Sequence, residues 1–359
     1  MLVIAFLYSF GIFIMFFLRR NCHSFEQRFL KKVKDLLPFD LKRESPKEMS
    51  QVRNILDLSM DEKRNFLNSF DFMMTDCDGV LWNLIDPIPG TGAALRDVEA
   101  AGKRVIYVSN NSVCPDSVYE RKIKSIGATY RQEDLVHPIH TIIYYLKKIK
   151  CRDLIYFIGS DHTKNILSSA GFNVICGPTE KFDADFRKLV AAVKDNQPVK
   201  YVIWDVDLNY SYPQFLRAEL YLRDPKCQLI LGATDYRVPI VSGFDLPGPG
   251  YLMDALEAAL PPGKKPIILG KPGIELGEIL MEKYAISDPQ RVLFVGDMLH
   301  PDIKLATNNG FQSLLVLTGA TTRKQMLSSE DSTVIPDFYA DSIAAISKLI
   351  QSLPIQSSL

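Results

Sequence analysis

Beyond residue 70 the chain repeats one arrangement. A short apolar run gives way to a polar break, and the next stretch returns its apolar positions at helical spacing. The runs are FDFMMTD (70–76), RVIYVSN (104–110), LIYFIG (154–159), YVIWDVD (201–207), QLILGA (228–233), PIILGK (266–271), RVLFVGD (291–297) and QSLLVLTG (312–319). Each is short and almost continuously apolar, which predicts a strand buried on both faces. Helices are predicted between them over DSVYERKIKSIG (116–127), HTKNILSSAG (162–171), QFLRAELYLRD (214–224), GYLMDALEAAL (250–260), GIELGEILMEKY (273–284) and DIKLATNNG (302–310), several closing on glycine. Such alternation predicts an α/β fold, a parallel sheet with helices on its faces.

The N-terminus departs from this pattern. Leu2–Leu18, LVIAFLYSFGIFIMFFL, carries no charge and is followed by Arg19, Arg20, Arg28, Lys31, Lys32 and Lys34. As a helix it would span about 26 Å, the short end of what a bilayer core of roughly 30 Å requires. A cleaved signal peptide carries its positive charge before the apolar run; here the charge follows. The expectation is a membrane anchor whose basic flank, and the chain after it, stay cytoplasmic; a buried helix is the alternative for so short a run. Residues 21–65 read as a basic-to-mixed amphipathic connector ending in the charged helical piece SMDEKRNFLNSF.

Composition narrows the field. A chain of 359 residues, 47% hydrophobic and 23% charged, holds one large or two modest domains. Forty-two basic residues balance forty-two acidic ones, so charge makes no case for a nucleic-acid partner. Six scattered cysteines without a C-x-x-C pair read as reduced thiols.

Four predicted strands end in polar residues: Asp76 with Asp78, Ser109-Asn110-Asn111, Lys271, and Asp297. Ligands of open parallel sheets sit beyond the carboxyl ends of the strands, so these ends are expected to converge. Taken singly, each has an ordinary reading. Asp-x-Asp can begin a turn, the serine and amides can form another, Lys271 can be a solvated side chain, and Asp302 can cap a helix. Together they describe a phosphoryl site. Crowded carboxylates need a cation, and Mg²⁺ takes hard oxygen ligands. Asp76 would attack phosphorus, and Asp78 would protonate the leaving oxygen and then activate water. Lys271 would offset charge on the phosphoryl oxygens. His137 and His140, three apart with no third ligand nearby in sequence, read as ordinary helix-start residues.

DCDGVLW (76–82), YVSNNS (107–112), GKPG (270–273) and VGDMLHPDI (295–303), in this order and spacing, resemble the haloacid dehalogenase-like phosphatases of the p-nitrophenylphosphatase, phosphoglycolate phosphatase and pyridoxal phosphatase group. PGPGYL (247–252) and PDFYADSIAAI (336–346) extend the resemblance over roughly residues 66–349. It implies a Rossmann-like core over 66–149 and 263–350, with an inserted α/β cap of the C2 type over 150–262. It also implies a Mg²⁺-dependent phosphomonoesterase working through an aspartyl-phosphate on a small phosphate ester. Asp76 would be nucleophile and metal ligand, Asp78 acid/base with its carbonyl on the metal, and Asp297 a further ligand supported by Asp302. Ser109, Asn110, Asn111 and Lys271 would hold phosphate, and a homodimer through the cap is implied as well. His300-Pro301 stands where the family often has an acidic residue and a threonine, and the cap stretch 204–222 matches only loosely. A phosphoprotein phosphatase on the same scaffold and a catalytically silent binding protein are the rival readings. A transport pump is excluded because one N-terminal span cannot form a path. A dehalogenase would not need Asp78. Asn110-Asn111-Ser112 fits the glycosylation pattern, but a glycan there would block the pocket, in keeping with a cytoplasmic catalytic domain.

Overall fold

All eight predicted runs form strands in the computed structural model, which describes residues 52–183, 185–241 and 244–354. Leu2–Leu18 and most of the 21–65 stretch lie outside these residues. Among the described residues, no helix is long and apolar enough to cross a membrane.

Along the chain come β1 (Arg53–Asn54), β2 (Phe72–Thr75), β3 (Trp82–Asn83), β4 (Asp86–Pro87), β5 (Arg104–Val108) and β6 (Leu135–Val136). Next are β7 (Leu154–Ile158), β8 (Asn173–Ile175), β9 (Val199–Trp204), β10 (Gln228–Leu231), β11 (Arg237–Val241), β12 (Phe244–Pro247) and β13 (Ile267–Ile268). The last are β14 (Val292–Gly296), β15 (Gln312–Val316) and β16 (Phe338–Ala340).

Seven strands make one parallel sheet in the order β1-β16-β15-β14-β2-β5-β6. Strand side chains alternate between faces, so neighbouring residues enter different cores. Met73, Leu293 and Leu314 join Leu95, Val98 and Ile346 on one side. Met74, Ile106 and Phe294 pack with Leu276, Leu280 and Leu305 on the other. Residues 336–346 supply β16 and then the start of the helix Ala344–Ser352. The stretch before residue 66 contributes β1 at the sheet edge and the helix Met60–Asn68, whose Ser59 and Glu62 form a capping box.

The chain between β6 and β14 builds a second parallel sheet, β13-β10-β9-β7-β8, packed on both faces. Its last strand, β13, lies past residue 262. The fold is therefore α/β: a Rossmann-like parallel core carrying an inserted α/β layer. Two antiparallel hairpins complete it, β3-β4 directly after Asp78 and β11-β12 after β10.

Candidate active site

β2 and β14 lie side by side, Thr75 opposite Val295, and the Asp76 N–H donates to the Val295 carbonyl at 2.8 Å. From this pair the strand order runs outward through β5 and β6 on one side and through β15 and β16 on the other. That reversal opens a crevice at the carboxyl ends, and Asp76 and Asp297 are the residues that step into it.

Lys271 arrives just before the helix Ile274–Lys283. Its Nζ lies 2.7 Å from Asp76 Oδ1 and 2.8 Å from Asp302 Oδ1. The other Asp302 oxygen accepts the backbone N–H groups of Asp297 (3.1 Å) and Met298 (3.0 Å), so one buried carboxylate holds both the lysine and the turn bearing Asp297. One oxygen each from Asp76, Asp297 and Asp302 lies within 4.8 Å of the other two.

Three carboxylates against one ammonium leave excess negative charge where water is largely excluded. Burial raises the Asp76 carboxyl well above its usual range, and the Asp302 and Asp297 charges add to this against the pull of Lys271. Burial, reinforced by Asp302, pushes Asp297 up to about 7. For Lys271 burial works against the charge, but the Asp302 and Asp76 carboxylates outweigh it and hold its pKa above the ordinary value.

Asp297 Oδ2 accepts the Ala320 N–H at 2.6 Å, whereas its Oδ1 is buried without a hydrogen-bond partner. Gly79 (φ +81°) and Gly319 flank this carboxylate so closely that a Cβ would sit 2.5 Å and 2.0 Å from Oδ2, so side chains at either position would close the space. An orphaned hard oxygen beside further carboxylates is the donor set that suits Mg²⁺.

Asp78 stands at the rim, its side chain about a third exposed (34%). Oδ1 accepts the Trp82 indole N–H at 2.8 Å and faces Lys122 Nζ at 3.7 Å, and the same ammonium lies over the Trp82 ring. Ser109 is buried; its Oγ accepts the Asn111 N–H at 3.1 Å and lies 2.8 Å from the Tyr119 hydroxyl. The Tyr119 hydroxyl has a single hydrogen and also lies 2.8 Å from the Asn111 carbonyl, which can only accept, so the serine hydrogen is left for a ligand only when Tyr119 donates to Ser109.

The Asn110 side chain is engaged within the protein. Its amide nitrogen donates to Asp235 Oδ2 (2.8 Å) and to the Lys271 carbonyl (3.1 Å), and its oxygen accepts the Lys271 N–H (2.8 Å). Both amide hydrogens are committed, so the side chain positions Lys271. The Asn111 oxygen likewise closes a turn by accepting the Cys114 N–H.

Sequence reasoning missed Asp235, which burial pushes up to about 6 against the pull of Lys271 and Asn110. It lies in the loop after β10, where no periodicity marks it. A cavity of about 370 Å³ adjoins Lys271, walled by Asp235, Tyr236 and Met253 on one side and by Met298, His300 and Pro301 on the other. The departure at His300-Pro301 thus sits in a wall that the core shares with the inserted layer.

The match to known proteins agrees with this arrangement. Residues 73–173 match the family model described as haloacid dehalogenase-like hydrolase, and residues 268–346 one described as HAD-hydrolase-like. A 4-nitrophenylphosphatase of Schizosaccharomyces pombe is 31% identical over 299 residues, 81% of this chain and 97% of that one. Phosphoglycolate phosphatase 2 of Arabidopsis thaliana is 29% identical, covering 82% and 98% of the two chains. Among solved structures, a 4-nitrophenylphosphatase from Thermotoga maritima superposes with a TM-score of 0.64 at 26% identity, over 79% of this chain and 99% of that one.

Proposed function

The chain belongs to the haloacid dehalogenase-like hydrolases and is a phosphatase; from that premise we propose that it hydrolyses small phosphate monoesters through a phosphoryl-enzyme on Asp76. The observation that carries this reading is the buried contact of Lys271 with Asp76 and Asp302 at the β2–β14 crevice. Lys271 orients the Asp76 carboxylate and would offset charge on the phosphoryl oxygens. An Asp76 oxygen attacks phosphorus as the ester P–O bond breaks, and Asp78 delivers its proton to the departing oxygen. Asp78, now ionised, takes a proton from water. That water attacks phosphorus, the bond to Asp76 breaks, and inorganic phosphate leaves with the Asp76 carboxylate restored. Ser109 and the backbone of Asn110 and Asn111 would hold the phosphoryl oxygens.

Asp76, Asp297 and the Asp78 carbonyl would hold Mg²⁺, with Asp302 bracing Asp297; when bound, the ion neutralises charge shared by phosphate and carboxylates. The substrate is proposed to be a small ester because the inserted layer bears directly on the crevice, Asp235 reaching Asn110 and Tyr236 facing His300. Tethering through residues 2–18, a cytoplasmic catalytic domain and a homodimer complete the proposal. Fractionation with and without residues 1–20 and light scattering test the tether and the dimer.

The test of function is turnover of a panel of phosphorylated metabolites and phosphopeptides, with and without Mg²⁺. Metal-dependent release of phosphate from small esters is expected. Turnover confined to phosphopeptides would overturn the substrate class, and no turnover of either would overturn the catalytic reading.

A further inference from the structure

His137 and His140 do begin a helix, Pro138–Lys148, but the fold places Asp116, the first residue of Asp116–Ser125, against both. His137 Nε2 lies 2.8 Å from Asp116 Oδ1, and His140 Nε2 lies 3.2 Å from Asp116 Oδ2. The imidazole rings are 3.9 Å apart, and one donor atom from each of the three residues lies within 4.8 Å of the others.

Hydrogen counting leaves a neutral His140 one hydrogen or one cation short, and His137 Nδ1 is buried without a partner. His140 Nδ1 lies 3.2 Å from the Leu135 carbonyl oxygen while Nε2 faces the carboxylate, so both ring nitrogens meet acceptors. A neutral imidazole has one hydrogen. If Nδ1–H donates to Leu135, the bare Nε2 confronts an anionic oxygen, and only a second proton or a cation relieves that contact. A backbone carbonyl holding Nδ1–H is also how ligating histidines are commonly oriented. Burial drives His137 down to about 4 despite Asp116, which keeps it in the neutral form that ligates. Around a tetrahedral ion with bonds of about 2.0–2.1 Å, donor atoms stand roughly 3.3 Å apart, a spacing that fits within the 4.8 Å bounding one donor atom from each residue here.

We propose that Asp116, His137 and His140 form a second metal site, taking one divalent transition ion of the Zn²⁺ type with a fourth position open to water. The two imidazoles select Zn²⁺ or Co²⁺ over Mg²⁺, which prefers oxygen ligands alone. The site is partly open, with Asp116 30% and His140 27% exposed, so an ion can enter from solvent. It also connects to the crevice. The Tyr119 ring stacks on His137 at 6.0 Å, and its hydroxyl lies 2.8 Å from Ser109 Oγ. An ion here would pin the two helix starts behind the serine-bearing loop.

The test uses the full chain, stripped of metal and returned to excess Mg²⁺. Zn²⁺ uptake is compared in wild type, His140→Gln and Asp116→Asn, and Co²⁺ is followed by its visible absorption. Wild type should take up one equivalent of Zn²⁺ more than either variant, whose affinity should fall at least about 100-fold. Reading the difference removes any Zn²⁺ held by cysteines elsewhere. The wild-type thermal midpoint should rise by about 5 °C at a hundredfold excess of Zn²⁺ over its dissociation constant. Should a variant fail to fold, X-ray absorption of the Zn²⁺-loaded wild type decides, because two imidazoles must scatter in the first shell. Equal uptake by wild type and a folded His140→Gln overturns the proposal. So does a zinc shell without imidazole, or an NMR titration in which His140 stays an imidazolium with Zn²⁺ present.

Discussion

Two strands, one in each sheet, end alike: β2 runs into Asp76-Cys77-Asp78 and β9 into Asp205-Val206-Asp207. In both, the first aspartate is buried at the carboxyl end of a central parallel strand. What faces them differs. Asp76 meets Lys271 with Asp297 and Asp302 close by, so its charge is opposed and crowded. Asp205 meets the Ser112 hydroxyl and the Ala233 N–H, and Gly232 makes room for it. Burial raises its carboxyl while those donors hold it back. Ser112 belongs to the core loop after β5, so Asp205 ties the inserted layer to the core. A strand-end carboxylate is reactive or structural according to the partners brought to it from elsewhere in the chain.

Replacing each aspartate should separate the two roles most sharply. Asp76→Asn should lower turnover of a small phosphate ester by about four orders of magnitude or more with the fold intact. Asp205→Asn should cost about tenfold or less in kcat but about 1–3 kcal/mol in stability, read from denaturant unfolding. Comparable losses of turnover would erase the distinction. Lys271→Met comes next. Loss of the buried ammonium should lower kcat about 10³-fold and cost the metal-free protein about 3–5 kcal/mol, because carboxylates are left unopposed in the crevice.

The dependence of stability on pH sharpens the contrast further. Asp235 and Asp297 titrate at about 6 and about 7 in the folded protein, above the ordinary 3.8. The folded state therefore holds more protons than the unfolded one in this window. The stability this contributes is complete below the ordinary value and lost as pH rises through 6 and 7. Mg²⁺ competes with protons only at the core carboxylates. Its increment in thermal midpoint should thus grow between about pH 5 and pH 8, and an increment independent of pH would count against a carboxylate-held ion. Asp235→Asn should remove the lower part of the decline and leave the Mg²⁺ increment in place. Its effect on turnover should be the smallest, about three- to tenfold, through loosened support of Asn110 and Lys271.

Much of the core was legible because its chemistry stands where the periodicity stops. Asp76, Ser109, Lys271 and Asp297 each follow an apolar run, and parallel strands bring such ends to one edge. Illegible were partnerships between segments far apart in the chain. Nothing local in GATDYRV indicates that Asp235 will reach Asn110, 125 residues earlier. The bonds of the Asn110 amide to Lys271 and Asp235 were likewise hidden until the fold set them side by side. Short strands such as β6 and β16 fell below any periodic signal, and Asp116 looked like a helix-start acid until the fold set it against two imidazoles.

The central claim, that convergence makes Asp76 the attacking group, is tested most directly by trapping the phosphoryl-enzyme. Acid quench during turnover of a small phosphate ester, followed by peptide mass spectrometry, should find the phosphoryl group on Asp76. With a nitrophenyl-type ester, whose leaving oxygen needs no proton, more should accumulate in Asp78→Asn, where activation of water is impaired, and none in Asp76→Asn. Phosphate release from Asp78→Asn with no adduct on Asp76, or an adduct on another residue, would contradict the account.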